Sequence, residues 1–165
     1  MKGDVLAAER IDGRWYVYGG YGPNEYDLSH IDVVIDPGGT DVYRYPRSER
    51  PRVQLVVDWD GDDRYLGENG AAGPASGLLG VSVVVDRAGN DHYEGGDLSC
   101  GAGLMGAGLI LDLAGNDTYK GARWTQGAAK YGFGGIVDLG SGADTYLAHE
   151  FGQGVGGATG AVCLR

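Results

Sequence analysis

The chain of 165 residues has no apolar run approaching the roughly 18 residues that a transmembrane helix needs. It has no Lys/Arg cluster beyond the short RYPRSERPR at 44–52. Its 23 acids against 13 bases leave a formal net charge of −10. Phosphate binding needs a basic face, so nucleic acid is disfavoured as a partner. Cys100 and Cys163 are the only cysteines, too few for a disulfide framework, and their positions leave their pairing open. The opening MKGDVLAAERIDG holds no apolar core of signal-peptide length. The sequence also lacks HExxH, GxSxG and Walker-type loops. GQGVGG (152–157) does not lie between a strand and a helix, as a phosphate loop would. These absences lead us to expect one soluble domain without a membrane span. An acidic chain of this kind meets cations or basic surfaces more readily than nucleic acid.

Helical periodicity is missing as well. No segment offers ten residues with apolar spacing of three to four, because glycine interrupts every candidate. The 33 glycines are about three times the usual share. Without matching Pro or Ser they indicate many tight corners rather than a flexible linker.

A repeat fills this space. GNDHY (89–93) returns as GNDTY (115–119), and looser copies are GTDVY (39–43), GDDRY (61–65) and GADTY (142–146). Each copy follows an apolar run that ends in Asp, as in VSVVVDRAGNDHY (81–93) and AGLILDLAGNDTY (107–119). The repeated tyrosines Tyr43, Tyr65, Tyr93, Tyr119 and Tyr146 are spaced 22, 28, 26 and 27 residues apart. Other columns keep the register: Gly80, Gly106 and Gly132; Leu98, Trp124 and Phe151; Cys100, Gln126 and Gln153.

One strand signal per unit of 22–28 residues fits an all-β, single-domain parallel β-solenoid, each turn forming one rung. We expect about five rungs, over 31–52, 53–80, 81–106, 107–132 and 133–160, with a partial turn at 161–165. Val83/Val85, Leu109/Leu111 and Val137 are expected to point into the core, with Leu98, Trp124 and Phe151 stacked inside the opposite wall. Residues 1–30 fall outside the register, and RIDGRWYVYGG carries an Asp-Gly hairpin signal, so they are expected to form an N-terminal cap. Trp15, Tyr16, Tyr18, Tyr21 and Tyr26 serve either that cap or an aromatic face for a sugar.

Stacking puts like beside like. Asp36, Asp58, Asp86, Asp112 and Asp138 form one file, and Asp41, Asp63, Asp91, Asp117 and Asp144 form a second. Two charges about 5 Å apart repel by about 3 kcal/mol at an effective dielectric near 20. A bound cation such as Ca²⁺ offsets this with carboxylate and carbonyl oxygens. Hydrogen bonds from backbone N–H groups of the same turns, with an amide ladder through Asn90 and Asn116, offer a metal-free alternative. The tyrosines either stack as a structural column or present a flat aromatic face.

LAGNDTYKG (113–121) and RAGNDHYEG (87–95) resemble the RTX calcium-binding nonapeptide, Gly-Gly-x-Gly-x-Asp-x-(large apolar)-x. The resemblance implies Ca²⁺ between turns, on the carboxylates of Asp41, Asp63, Asp91, Asp117 and Asp144. It also implies turn carbonyls at Gly39, Gly61, Gly89, Gly115 and Gly142, with the tyrosines as anchors. The leading Gly-Gly pair is mostly missing, Tyr stands for the usual Leu, and the motif comes once per turn rather than twice.

The expected function is a non-catalytic, Ca²⁺-stabilised repeat module with a structural or binding role, scaffold-like or adhesin-like. All ten Asp of the two files are its candidate metal ligands. Its partner would be a protein or a polysaccharide, and end-to-end self-association through the C-terminal edge is open. Calcium sites of modest affinity fill outside the cell, which favours an extracellular or cell-surface place. One alternative is a carbohydrate-active enzyme with an acidic site on a solenoid face, for example Asp60, Asp62 and Asp63 with Arg64. A catalytic site usually needs unlike residues, whereas here the acids are the repeat. Another is a metal-free binder of a regular surface or polymer.

Overall fold

The computed structural model describes residues 1–46, 52–68 and 72–164. Most of the basic stretch 44–52, part of the long second unit and Arg165 therefore lie outside the described residues. The first half of the chain forms β1 (Val5–Ile11), β2 (Arg14–Gly19), β3 (Glu25–Asp27), β4 (Ile31–Asp36), β5 (Val42–Tyr45), β6 (Val53–Asp58), β7 (Arg64–Gly67), β8 (Gly77–Leu78) and β9 (Val81–Asp86). The second half forms β10 (His92–Glu94), β11 (Gly103–Leu104), β12 (Ala107–Asp112), β13 (Thr118–Arg123), β14 (Ala129–Lys130), β15 (Phe133–Asp138), β16 (Thr145–Glu150) and β17 (Ala161–Leu164). No helix occurs among the described residues. None is therefore long and apolar enough to cross a membrane.

Three sheets, parallel throughout except for the β1–β2 pair, wind into a solenoid of about five turns. The first has the order β1-β2-β4-β6-β9-β12-β15-β17, the second β16-β13-β10-β7-β5-β3 and the third β14-β11-β8. A regular turn gives a six-residue strand to the first sheet, passes through the Gly-x-Asp corner, and enters the second sheet one residue before the Tyr. A glycine-rich corner and the two-residue strand of the third sheet then return it. Identical residues pair across rungs: Asp58↔Asp86, Asp86↔Asp112 and Asp112↔Asp138 in the first sheet, Tyr65↔Tyr93 and Tyr93↔Tyr119 in the second. The motif glycine is required by this stacking. Gly61 has φ +154°, and a Cβ there would run into the carbonyl oxygen of Gly39 one rung below.

The inward phase of the long strands differs from the sequence expectation. Val34, Val56, Val84, Ile110 and Ile136 are fully buried and make the inner column. Val83/Val85, Leu109/Leu111 and Val137, expected inside, face outward and are only half-buried. The cause lies at the strand end. Side chains alternate, and Asp86 and Asp112 are themselves fully buried, so the residues two positions before them point inward too.

Leu98, Trp124 and Phe151 also depart from expectation. Their backbones are left-handed, with φ of 58°, 52° and 51°. They lie at the outer surface, where Trp124 stacks on Phe151 with ring centroids 5.0 Å apart. Cys100 and Gln126, two residues further on, are fully buried instead.

The tyrosines form the spine of the interior. Tyr26, Tyr43, Tyr65, Tyr93, Tyr119 and Tyr146 stack with centroid spacings of 5.1, 4.7, 4.6, 4.8 and 4.8 Å. Such pairs contribute about 0.5–1.5 kcal/mol each beyond burial. The sequence reading began this column at Tyr43, but Tyr26 belongs to it.

At the N-terminus, β1 and β2 form an antiparallel hairpin that turns at Asp12–Gly13, both with positive φ. The β2 strand then pairs in parallel with β4, so rung geometry starts within the segment assigned to the cap. At the other end β17 pairs with β15 in register, Phe133 against Ala161.

The phase makes a prediction for urea unfolding in dilute solution. Ile110→Ala should cost about 2–5 kcal/mol, the range for an inward aliphatic side chain. Leu109→Ala, facing out, should cost under about 1 kcal/mol. The reverse order would contradict the inward assignment.

Candidate metal centre

All ten expected Asp come together, and they do so inside the solenoid. The first file ends the long strands and the second sits at the centre of each Gly-x-Asp-x-Tyr turn. Eight of the ten are at most 2% exposed, while Asp138 and Asp144 near the last rung are half-buried.

Each file has its own hydrogen-bond partners. In the second file, the backbone N–H of one Asp donates to Oδ1 of the Asp a rung later. Asp41 donates to Asp63 at 2.7 Å, Asp63 to Asp91 at 2.7 Å, Asp91 to Asp117 at 2.8 Å and Asp117 to Asp144 at 2.9 Å. In the first file, Oδ1 of Asp36 and of Asp58 accepts the N–H two residues on, at 2.9 and 3.1 Å. The tyrosine hydroxyls donate to Oδ2 of the first file: Tyr65 to Asp86 at 2.6 Å, Tyr93 to Asp112 at 2.8 Å and Tyr119 to Asp138 at 3.2 Å. Tyr43 makes the same bond to Asp58.

These bonds leave oxygens over. Oδ2 of Asp41, Asp63, Asp91 and Asp117, and Oδ1 of Asp86 and Asp112, are buried without a hydrogen-bond partner among the described residues. None of the ten makes an ion pair among the described residues; the salt bridges there involve other acids. Backbone bonds of the turn therefore satisfy part of each file, and the remaining carboxylate oxygens face one another. A buried carboxylate in that position needs a proton or a cation.

The oxygens are gathered closely enough for a cation. Four groups, Asp36/Asp41/Asp58, Asp63/Asp86/Asp91, Asp91/Asp112/Asp117 and Asp117/Asp138/Asp144, each offer three ligand atoms within 4.8 Å of one another. Ca²⁺–O distances of about 2.3–2.6 Å put any two ligands of one ion within about 5 Å, so the groups fit. Mg²⁺, at about 2.0–2.1 Å and reluctant to shed water, fits a dry all-protein cage less well. Asp91 and Asp117 each belong to two groups, so neighbouring sites share a ligand.

Without a cation, burial pushes seven of these carboxyls upward. Asp58 and Asp112 move to about 6, Asp41 and Asp117 to about 7, Asp91 to about 9, and Asp63 and Asp86 to about 10. Neighbouring carboxylates push the same way. Donated hydrogen bonds oppose: N–H groups at Asp41, Asp63, Asp91 and Asp117, and tyrosine hydroxyls at Asp58, Asp86 and Asp112.

Sequence reasoning found the files but missed three of their features. It read the tyrosines as anchors and not as donors. It did not foresee that both files turn inward. It also passed over Asn24 in GPNEY (22–26), which stands in the second file one rung before Asp41. Its N–H donates to Asp41 Oδ1 at 2.5 Å and its side-chain amide to Asp36 Oδ2 at 3.0 Å. The spacing of 17 residues from Tyr26 to Tyr43, with the same Gly and Tyr positions, was the available signal. The amide ladder is present outside the turns, where Asn116 Nδ2 donates to Asn90 Oδ1 at 2.9 Å.

The acidic cluster considered for catalysis is not assembled. Asp63 is buried, while Asp60, Asp62 and Arg64 lie exposed, and Asp62 accepts from Asn90 at 2.8 Å. No protein-family model, curated protein or solved structure matches the chain. The likeness to calcium-binding nonapeptides thus rests on the motif residues alone.

The raised carboxyls predict a pH trend for the chelated protein. Unfolded Asp titrates near 4. A folded-state pKa above that value adds stability below pH 4 and loses it as pH rises through the folded value. Melting temperature in chelator should therefore fall steadily from about pH 4 through the folded-state range of about 6 to 10. A melt that rises over this span would contradict the burial of uncompensated carboxyls.

Proposed function

We propose that the chain is a non-catalytic repeat module whose interior Asp files hold Ca²⁺, and that it serves as a rigid scaffold or binding element. One observation carries this reading: six buried carboxylate oxygens, in groups of the right size, have no hydrogen-bond donor among the described residues. Protons could fill the same gap, but only at the cost of holding acids neutral several pH units above their normal range. Ca²⁺ removes that cost and links the last three groups through shared Asp91 and Asp117. The RTX-like motif supports the same ion. Calcium at extracellular concentrations would keep such sites filled, which favours a place outside the cell.

A binding role draws on a separate observation. Trp124 and Phe151 stack beside Leu98 and Leu104 in a cleft of about 360 Å³, rimmed by Asp97, Arg123 and Lys130. Aromatic faces flanked by polar groups suit the rings of a polysaccharide, the second partner class considered from the sequence.

Circular-dichroism melts with millimolar Ca²⁺, with Mg²⁺ and with excess chelator test the cation reading. Binding at 100 times Kd adds about 2.7 kcal/mol per site, so Ca²⁺ should raise the melt by many degrees and Mg²⁺ by far less. Asp86→Asn with Asp91→Asn, which alters two of the four groups, should remove about half of the calcium effect while leaving the chelated melt unchanged or higher. Identical melts in calcium and chelator would overturn the reading.

A further inference from the structure

The long strands turn their less polar side outward. In β6, β9, β12 and β15 the inward positions carry Gln54, Ser82 and the Asp file, while no outward position carries a charge. The outward columns run in strict register: Leu55↔Val83↔Leu109 and Val57↔Val85↔Leu111. They form a flat, ridged sheet face of β-branched and aliphatic side chains, and no described element packs across it. Parallel sheets are normally covered on both faces, and an exposed apolar patch of several hundred Å² marks an interaction site.

We propose that this face pairs with the same face of a second copy of the chain, sheet on sheet. Three observations select that occupant. The first is area. The outward columns continue through Tyr16 and Tyr18 of β2, Val33 and Ile35 of β4 and Cys163 of β17, so seven strands of the sheet, β1 excepted, share the face. At about 4.8 Å apart and up to about 20 Å long, they give roughly 600 Å² per copy, or about 1,200 Å² in a pair, the lower bound of a stable protein interface. The second is charge. The chain carries −10, so two copies repel over most of their surface, and this face lacks the acids that cause the repulsion. At its border Asp32 is engaged by Arg14 and Arg52, at 3.4 and 3.9 Å. The same net charge disfavours an anionic bilayer as the occupant. The third is period. Rows of side chains repeating once per rung interdigitate best with rows of the same repeat, and a two-fold axis supplies them. Each copy would lie with its sheet about 10 Å from its partner's, strands crossing at about 30°.

This contact differs from end-to-end growth through β16 and β17, and it does not depend on the cation. A chain that dimerises yet ignores calcium leaves it standing.

Sedimentation velocity on the full chain, from low to high micromolar concentration in calcium, tests the proposal. The wild type should shift from monomer to dimer. Val83→Lys and Leu109→Lys should each raise the dissociation constant at least 100-fold. Their melts in dilute solution should match wild type, since both side chains face out. Leu147→Lys, exposed on the six-stranded sheet, should leave the dimer intact. A monomer at every concentration would overturn the proposal. So would a dimer that survives both Val83→Lys and Leu109→Lys, because the contact would then lie at another surface.

Discussion

The structure turns on two files of carboxylates, eight of the ten buried, with no Lys or Arg paired to them among the described residues. Burying one unpaired ion is costly, and files of them along a solenoid axis are tolerable only with compensation in every rung. The tyrosine spine is one part of that compensation. Its rings fill the core, and its hydroxyls hold the first file in place. The tight glycine turn is another, because it brings each N–H of the second file onto the carboxylate of the next rung. What these donors leave unsatisfied sets the demand for a proton or a cation. Tyr, Gly and both Asp therefore recur together as one physical unit, and losing any of them strands the others.

The same unit fixes the phase of the long strands. With Asp86 and Asp112 drawn inward, alternation sends Val84 and Ile110 in and Val83, Val85, Leu109 and Leu111 out. An interior built around polar files leaves much of the aliphatic surface outside. The outer apolar sheet follows from this inversion, and the surface Trp124–Phe151 pair is set outward by its left-handed corners.

Much of the fold was legible from the repeat alone. Spacing gave the parallel solenoid, the rung boundaries and the membership of both Asp files, because stacking needs only register. The direction each column faces was not legible. An Asp at a strand end reads as a solvent-facing turn residue, and only its contact with a tyrosine one rung away shows otherwise. The outward Leu98, Trp124 and Phe151 were hidden for a related reason. Left-handed corners at non-glycine residues reverse the side-chain direction, and no residue preference announces them. Asn24 was missed because the first rung substitutes an amide for the acid, which itself fits a rung that has Gly19 where later rungs have the first-file Asp.

The most direct test of the central claim is anomalous diffraction from crystals grown in millimolar Ca²⁺, recorded at a long wavelength where calcium scatters anomalously. The account predicts peaks between the two files, within bonding distance of the oxygens of Asp63, Asp86 and Asp91 and again of Asp91, Asp112 and Asp117. Well-ordered carboxyls in direct hydrogen-bond contact, with no anomalous peak between them, would contradict it and leave protons as the compensation.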